Sequence, residues 1–392
     1  MYPNAFTRSR KLPLPKLIAA LLSMRGTSQQ VMLDAFFGSL GGDGDLCRSI
    51  SDRGFAKARD HLSCSALQRL NTFALATADR LGLIARWQGL RVVGADASVF
   101  FPAVRACANL KGFAAKPNQR LFSLFLPGAE MTLYAQLHSE HTSERQMLFE
   151  ALEQLGPDDL LVLDRGYPAT WLVAYLNEHK IRFCMRCDKV NGWKSMRALL
   201  ESGHTQAMVT LKKPNRADVT DYQCSGEAPQ LRLVPHLTPD GKVWVLATNL
   251  SEADFPAEVF GCLYHQRWRI EESYKRLKHG VKLESVSGLT QHAVFIDVLA
   301  KVLADNLSAL VCMGACEEAN LAASNRHCNR AYAGACLQRL LARLVLGLGC
   351  LGALLKKAFG LLGANSHKRR PGRKSPRPNR HVKPHPSMAY KG

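Results

Sequence analysis

The chain has 392 residues, enough for about two or three domains, and its 52 Lys and Arg against 32 Asp and Glu leave a net charge of +20. That balance points to nucleic acid or an anionic membrane surface as partner. The longest apolar run, Leu344 to Leu355, is too short to cross a bilayer and reads as a buried C-terminal helix. The twelve cysteines are scattered through apolar segments, which argues against a disulfide-built secreted scaffold and for a reduced, cytoplasmic protein.

Residues 1–88 read as a helical region. LPLPKLIAALLS near the start is interrupted by Pro15 and Lys16 and lacks a small-residue cleavage site, so it does not read as a signal peptide. One helix starts at Ser28-Gln29-Gln30, a second follows Ser51, and a third spans Leu67 to Leu81; Gly38 to Gly44 reads as a flexible break. From 89 to about 188 strands and helices alternate. Strands are expected near Val92–Phe100, Arg120–Leu126, Thr132–His138, Leu160–Asp164 and Arg182–Cys187, with helices over Ser143–Leu155 and Ala169–His179. Residues 189–250 carry strand-like stretches at Ala207–Leu211, Gln230–Val234 and Val243–Ala247, read as a β-rich insertion. From Asp297 to Leu362 the pattern is helical again and is expected to cover the sheet. The last segment, Ser366 to Gly392, has nine Lys or Arg, five Pro and no acid, the composition of a disordered basic tail. The division that results is a helical region over 1–88, an α/β domain over 89–364 and a tail over 365–392.

Three places carry chemistry. In YHQRWRIEESYKRLK, Tyr264, Arg267, Glu271 and Lys278 stand at offsets of three, four and seven. On one continuous helix they fall within an arc of roughly 60°. A carboxylate among phosphate-binding groups suits metal-dependent phosphoryl transfer, although Arg267 and Glu271 also make an ordinary i,i+4 pair on a solvated face. Asp96 lies inside the β-rich run RVVGADASVFF, where a lone carboxylate is costly unless paired or metal-bound. Asp164 follows the apolar run Leu160–Leu163, at the carboxyl end of a strand of the parallel type, where α/β sheets collect ligands. Three acids from two strands and a helix can hold two metal ions. By contrast Cys184 and Cys187 form a CxxC with no second pair at zinc spacing, and read as strand cysteines.

These residues resemble the DDE transposases of the IS-four insertion-sequence family, which have an RNase H-like catalytic core. The spacing of Tyr264, Arg267, Glu271 and Lys278 matches that family's signature, Trp268 and Ile270 match its wording, and Asp164 to Tyr167 (DRGY) resembles its second-acid motif. Gly54 to Ser63 resembles its N-terminal helical wording. The first acid departs from the usual pattern, being Asp96-Ala97-Ser98 rather than Asp-Gly-Thr or Asp-Gly-Ser.

The resemblance implies an RNase H-like mixed sheet with flanking helices, and an insertion before the catalytic Glu helix. It implies Asp96, Asp164 and Glu271 as ligands of two Mg²⁺ ions, with Mn²⁺ as a substitute. Arg267 and Lys278 would hold phosphates, Tyr264 would contact the strand near the cut, and Trp244 would stack on a flipped base. Trp244 equally fits a core residue of a Val-rich strand. The implied activity is cleavage at the element's ends and strand transfer into target DNA, by a homodimer assembled on the terminal inverted repeats, in the bacterial cytoplasm at the nucleoid. Arg8, Arg10, Lys11, Arg53, Lys57 and Arg59 are candidate phosphate contacts of the N-terminal region. The alternatives are a nuclease that cuts without joining and a DNA-binding protein that has lost catalysis.

Overall fold

The computed structural model describes residues 6, 11–26, 28–41, 46–102, 119–187, 193–239, 241–288 and 290–368. Arg8, Arg10 and the tail from 369 onward lie outside them. Four helices open the chain: α1 (Leu14–Ser23), α2 (Gln29–Gly41), α3 (Asp52–Asp60) and α4 (Cys64–Arg80). Then come β1 (Arg91–Phe100), β2 (Gln119–Leu126), β3 (Met131–Ser139), α5 (Glu144–Ala151), β4 (Asp159–Leu163), α6 (Thr170–Glu178) and β5 (Arg182–Cys187). The following segment holds α7 (Lys194–Ser202), β6 (Ala207–Thr210), α8 (Arg216–Tyr222), β7 (Gln230–Leu237) and β8 (Val243–Thr248). After α9 (Phe260–His265) and α10 (Trp268–Lys275) the chain continues through α11 (Gln291–Glu318), β9 (Arg326–His327), α12 (Arg330–Val345), α13 (Leu351–Ala364) and β10 (His367–Lys368).

The chain forms two compact units that do not follow its order: Ile84–Val99 with Arg120–Ser273, and Met1–Leu83 with Phe100–Gln119 and Tyr274–Gly392. The first unit is built on one eight-stranded sheet ordered β3-β2-β1-β4-β5-β8-β7-β6. β1, β4 and β5 run parallel, while β8, β7 and β6 add antiparallel strands beyond β5. Only Pro127–Glu130 joins β2 to its neighbour β3, a link too short for anything but an antiparallel pair. This is the expected RNase H-like mixed sheet, and the insertion extends the same sheet. That insertion also contains the helices α7 and α8, which the strand-like patterning did not indicate.

One face of this sheet buries Val92, Leu160, Val162, Cys184, Val234 and Leu246 against Phe260, Leu263 and Tyr264. Side chains alternate faces with a period of two. Asp96, Asp164, Arg186, His236 and Trp244 are each an even number of residues from one of those core positions, and so belong to the same face. The α9–α10 segment is therefore held over the row of side chains that carries both acids.

The second unit is helical. Its core joins Leu17, Leu21, Leu33, Phe36, Phe55 and Leu67 from α1–α4 to Ile296, Leu303, Leu337 and Leu362 from α11, α12 and α13. The helices expected to cover the sheet thus build a core of their own with the N-terminal helices. α1 itself was not read from the sequence: Pro15 sits at its first turn, where proline is tolerated, and does not interrupt it. Helix α2 runs through Gly38 as far as Gly41, against the break expected from Gly38, and the rest of that stretch, 42–44, lies outside the described residues. The apolar run Leu344–Leu355 is not one buried helix. Gly347 and Gly349 adopt φ of +62° and +82°, which ends α12 before α13 begins, and Leu351 is half exposed. At the start of the tail, His367–Lys368 pair with Arg326–His327 as a short antiparallel ladder.

Buried charges organise this unit. Asp297 accepts from Ser287 N and Oγ at 2.6 and 2.8 Å and meets Arg59 at 3.4 Å. Lys301, one turn on, donates to the carbonyls of Lys282 and Ser285, and burial lowers its pKa to about 8. One turn further, Asp305 accepts from Arg276 at 3.0 Å and from Arg330 at 3.2 Å. Asp297 and Lys301 thus anchor the 281–288 loop from inside the unit.

Candidate catalytic site

The β1–β4 ladder decides the position of the two aspartates. Its parallel register pairs Arg91 with Asp159 and Gly94 with Val162. Carried two residues further, that register sets Asp96, in the middle of β1, beside Asp164, just past the carboxyl end of β4. Burial pushes the Asp96 carboxyl up to about 7; the Arg267 guanidinium opposes this, and the Glu144 and Asp164 carboxylates add to it.

The turn after β4 is fixed from two sides. Gly166 N donates to Asp164 Oδ1 at 2.7 Å, and Tyr167 N donates to the Asp164 carbonyl. Arg145 clamps the same turn from α5, donating to the carbonyls of Tyr167 and Pro168, each at 3.1 Å. Helix α5 starts there because Ser143 caps it, accepting from Gln146 N at 3.2 Å. That cap brings Glu144 to the site. A methyl group on Gly166 would lie 3.1 Å from Asp164 Oδ1 and 3.8 Å from Glu144 Oε2, so both carboxylates border the same small space. Glu144 is ion-paired to Arg120 at 2.7 Å. Burial raises its pKa, Arg120 opposes the shift and Asp164 adds to it.

The signature segment differs from the single helix its spacing suggests. α9 ends at His265, and bonds from Gln266 N to Leu263 O, Arg267 N to Tyr264 O and Ile270 N to Arg267 O make a tighter link into α10. Past Lys275 the chain widens into a π-helical turn over Arg276–Gly280. The uniform 100° step is thus broken twice. Tyr264, Arg267 and Glu271 stay together in the sheet unit. Arg267 Nη2 donates to Glu271 Oε1 at 3.0 Å, and its guanidinium carbon lies 6.0 Å from the Tyr264 ring centre. Lys278 belongs to the helical unit, where it meets Glu284 at 3.4 Å.

Tyr264 and Arg267 are almost fully buried, at 2% and 6% exposure, yet the Tyr264 hydroxyl and Arg267 Nε have no hydrogen-bond partner among the described residues. Burial pushes the Tyr264 phenol up to about 12, so it is a donor at neutral pH. Burial works against the Arg267 charge, but Tyr264, Asp96, Glu271 and Asp164 together raise its pKa. Beside them Trp244 stands edge-on to Tyr264 at 5.5 Å and to the half-exposed Trp268 at 6.0 Å, with the Arg186 guanidinium 4.6 Å from its ring centre.

The structure therefore brings Asp96 and Asp164 together, and Tyr264, Arg267, Glu271 and Trp244 together. Among the described residues no group of three or more His, Cys, Asp or Glu stands close enough to hold a metal ion. The donor set is nonetheless all carboxylate, the chemistry that suits a hard divalent cation, and Asp96 and Glu144 both bear the electrostatic cost of crowded carboxylates. Glu144, Arg120, Arg145 and Arg186 were not singled out from the sequence. Glu144 looks like a first-turn acid that serves the helix dipole. Arg186 did carry a signal, a charge inside the apolar strand FCMRC, of the same kind that marked Asp96. Cys184 and Cys187 are buried strand residues with raised pKa values, Cys187 to about 12, as burial dictates.

Residues 104–307 match the family described as Transposase DDE domain. The chain belongs to that family. The matched span holds Asp164, Trp244 and the whole signature from Tyr264 to Lys278, but begins after Asp96. The chain is also 25% identical over 236 residues to "Transposase InsG for insertion sequence element IS4" of Escherichia coli (strain K12), in keeping with the IS-four resemblance. The alignment covers 57% of this chain and 52% of that protein, so the chain spans about half the length of this curated relative. A solved structure, titled "Cryo-EM structure of piggyBac transposase synaptic complex with hairpin DNA", is 10% identical with a TM-score of 0.36, covering 91% of this chain and 83% of that one. Among the described residues no helix is long and apolar enough to cross a membrane.

Proposed function

We propose that this protein is a DDE transposase that cuts DNA at the ends of an insertion sequence and joins the freed ends to target DNA. The observation that carries this reading is the approach of Asp96, inside β1, to Asp164, just past β4, near a buried Arg267 and Tyr264 with unused donors. Asp96, Asp164 and Glu271 would hold divalent metal, two Mg²⁺ ions or Mn²⁺ in their place. Metal so held supplies polarisation of the attacking oxygen and charge stabilisation of the leaving oxygen in an in-line displacement at phosphorus.

The chain's own residues bind and orient. Arg267 Nε and the Tyr264 hydroxyl, buried and unmatched, would donate to phosphate oxygens of the DNA strand being cut. Glu271 would exchange its bond to Arg267 for the ion, which frees a further guanidinium N–H for the DNA. Lys278 would hold a second phosphate. Trp244, backed by Arg186, would stack on an unpaired base and offset part of the cost of extruding it. Hydrolysis breaks the P–O3′ bond and leaves a 3′-OH, which then attacks a target phosphodiester. No covalent link to Tyr264 is needed. Residues 1–88 would bind the inverted repeat, residues 89–364 would carry the chemistry, and the basic 365–392 segment would add contacts without sequence preference. Two copies would assemble on DNA, at the nucleoid of the cytoplasm.

A DNA-binding protein without catalysis would need none of the three acids, and their retention favours the enzyme. The test is cleavage of a labelled duplex carrying the element's end, with Mg²⁺ or chelator, by wild type and Glu271→Ala. Metal-dependent release of a 3′-OH by wild type, lost in the variant while end binding persists, is expected. Specific binding without cleavage in any metal would establish the binding protein instead, and cleavage without joined products would establish a nuclease.

A further inference from the structure

We propose that Cys316 and Cys328 are an oxidative modification site, a dithiol that reacts with a low-molecular-weight disulfide such as oxidised glutathione and closes into an intramolecular disulfide. The Cys316 thiol, in the last turn of α11, donates to Cys328 Sγ at 3.2 Å. Cys328, in the link between β9 and α12, is 4% exposed, whereas Cys316 is only partly buried. The pair therefore has one sulfur that a small oxidant can reach and one protected sulfur already in contact with it. A disulfide bond is ~2.05 Å long, so the sulfurs need to close by only about 1 Å. Cys316 precedes the end of α11 and a turn in which Asn320 and Asn325 adopt positive φ, a segment outside regular helix that can take up such a shift.

The chemistry balances without a further reagent. Cys316 thiolate attacks the small disulfide, forming a mixed disulfide and releasing one thiolate. Cys328 then loses its proton and attacks the Cys316 sulfur, which expels the second. Two protein thiols and one small disulfide become one protein disulfide and two small thiols. A third thiol, Cys312, lies one turn before Cys316, and its backbone carbonyl accepts from Cys328 Sγ at 3.6 Å. It is the competing partner that the experiment must separate.

The location gives the bond leverage. Asn329, next in sequence to Cys328, caps α12 by accepting from Ala331 N and Tyr332 N, each at 3.1 Å. Arg330 follows and holds Asp305, the same carboxylate that holds Arg276 at the start of the π-helical turn bearing Lys278. A disulfide from Cys328 to the end of α11 would staple this junction. The inference concerns the fold of the helical unit and does not depend on the catalytic reading.

The test exposes the folded full-length protein to oxidised glutathione, blocks remaining thiols at low pH, and maps linked peptides by mass spectrometry alongside thermal unfolding. A Cys316–Cys328 link, a melting temperature raised by several degrees and reversal of both by dithiothreitol are expected. Cys316→Ser, a near-isosteric change at the more accessible thiol, should melt like the reduced wild type and lose both responses. A Cys312–Cys328 link, glutathione left on Cys316 with no internal bond, or an equal rise in the Cys316→Ser variant would each overturn the proposal.

Discussion

The two ends of the β1–β4 ladder are built from the same register and have opposite electrostatics. At the amino ends Arg91 meets its register partner Asp159 in a two-point ion pair of 2.5 and 2.8 Å, and Gly156 N adds a third bond at 2.7 Å. At the carboxyl ends the same ladder sets Asp96 beside Asp164, with Glu144 close to Asp164. The first end satisfies a buried charge, as structural sites do. The second accumulates like charge near Arg267 and leaves buried donors unused. Surplus charge of one sign in a buried place is costly to the fold, and it is the arrangement that a bound cation and a phosphate would resolve.

The largest expected effect separates the two ends by function. Asp164→Asn should lower DNA cleavage by roughly a thousandfold or more, since it would remove a proposed metal ligand, yet should not lower the melting temperature, because it relieves repulsion. A loss of both would make Asp164 a structural residue. Next in size, Asp159→Asn should destabilise the protein by about 3 kcal/mol, because it strands a mostly buried Arg91, read from denaturant midpoints. It should leave cleavage by the folded protein near the wild-type rate.

A smaller effect lies in pH. The folded pKa of Asp96, about 7, stands above its unfolded value of ~3.9. The contribution of this group is therefore fully present below about pH 4 and is lost as pH rises through about 7, at no more than ~1.4 kcal/mol per pH unit. Metal-free protein should lose stability over that window, Asp96→Asn should flatten the profile, and added Mg²⁺ should stabilise wild type more at pH 8 than at pH 5. A wild-type profile that Asp96→Asn leaves unchanged would remove Asp96 from the crowded site. The smallest effect is expected at Gly166. Its replacement by Ala puts a methyl group 3.1 Å from Asp164 Oδ1, and the displaced carboxylate should slow cleavage by roughly tenfold with little change in stability.

Much of this was legible beforehand because local rules govern it. A β-rich apolar run marked β1, strand-like stretches marked β7 and β8, an unbroken apolar run marked β4, and Ser51 and Ser143 announced α3 and α5. The chemistry-bearing spacing of Tyr264, Arg267 and Glu271 also survived, because those residues are close in the chain. The regularity of the signature helix did not survive. Neither the tight link after His265 nor the π-helical turn at Arg276–Gly280 has a local signal, since Arg276 is held there by Asp305, 29 residues away in sequence. Glu144 was overlooked because a first-turn acid is normally explained by its own helix.

By itself the sequence determined most of the element types, the family, and which residues carry charge into apolar strands, because period, capping and turn chemistry act over a few residues. Only the tertiary structure decided which charges meet. The Asp96–Asp164 pairing depends on a ladder between strands 68 residues apart in register. The Asp297–Lys301–Asp305 stripe finds its partners only where α3, α12 and the 281–288 loop meet it. Whether a charged group is stabilised, strained or available is set by dielectric and by distance, and both are properties of the folded chain.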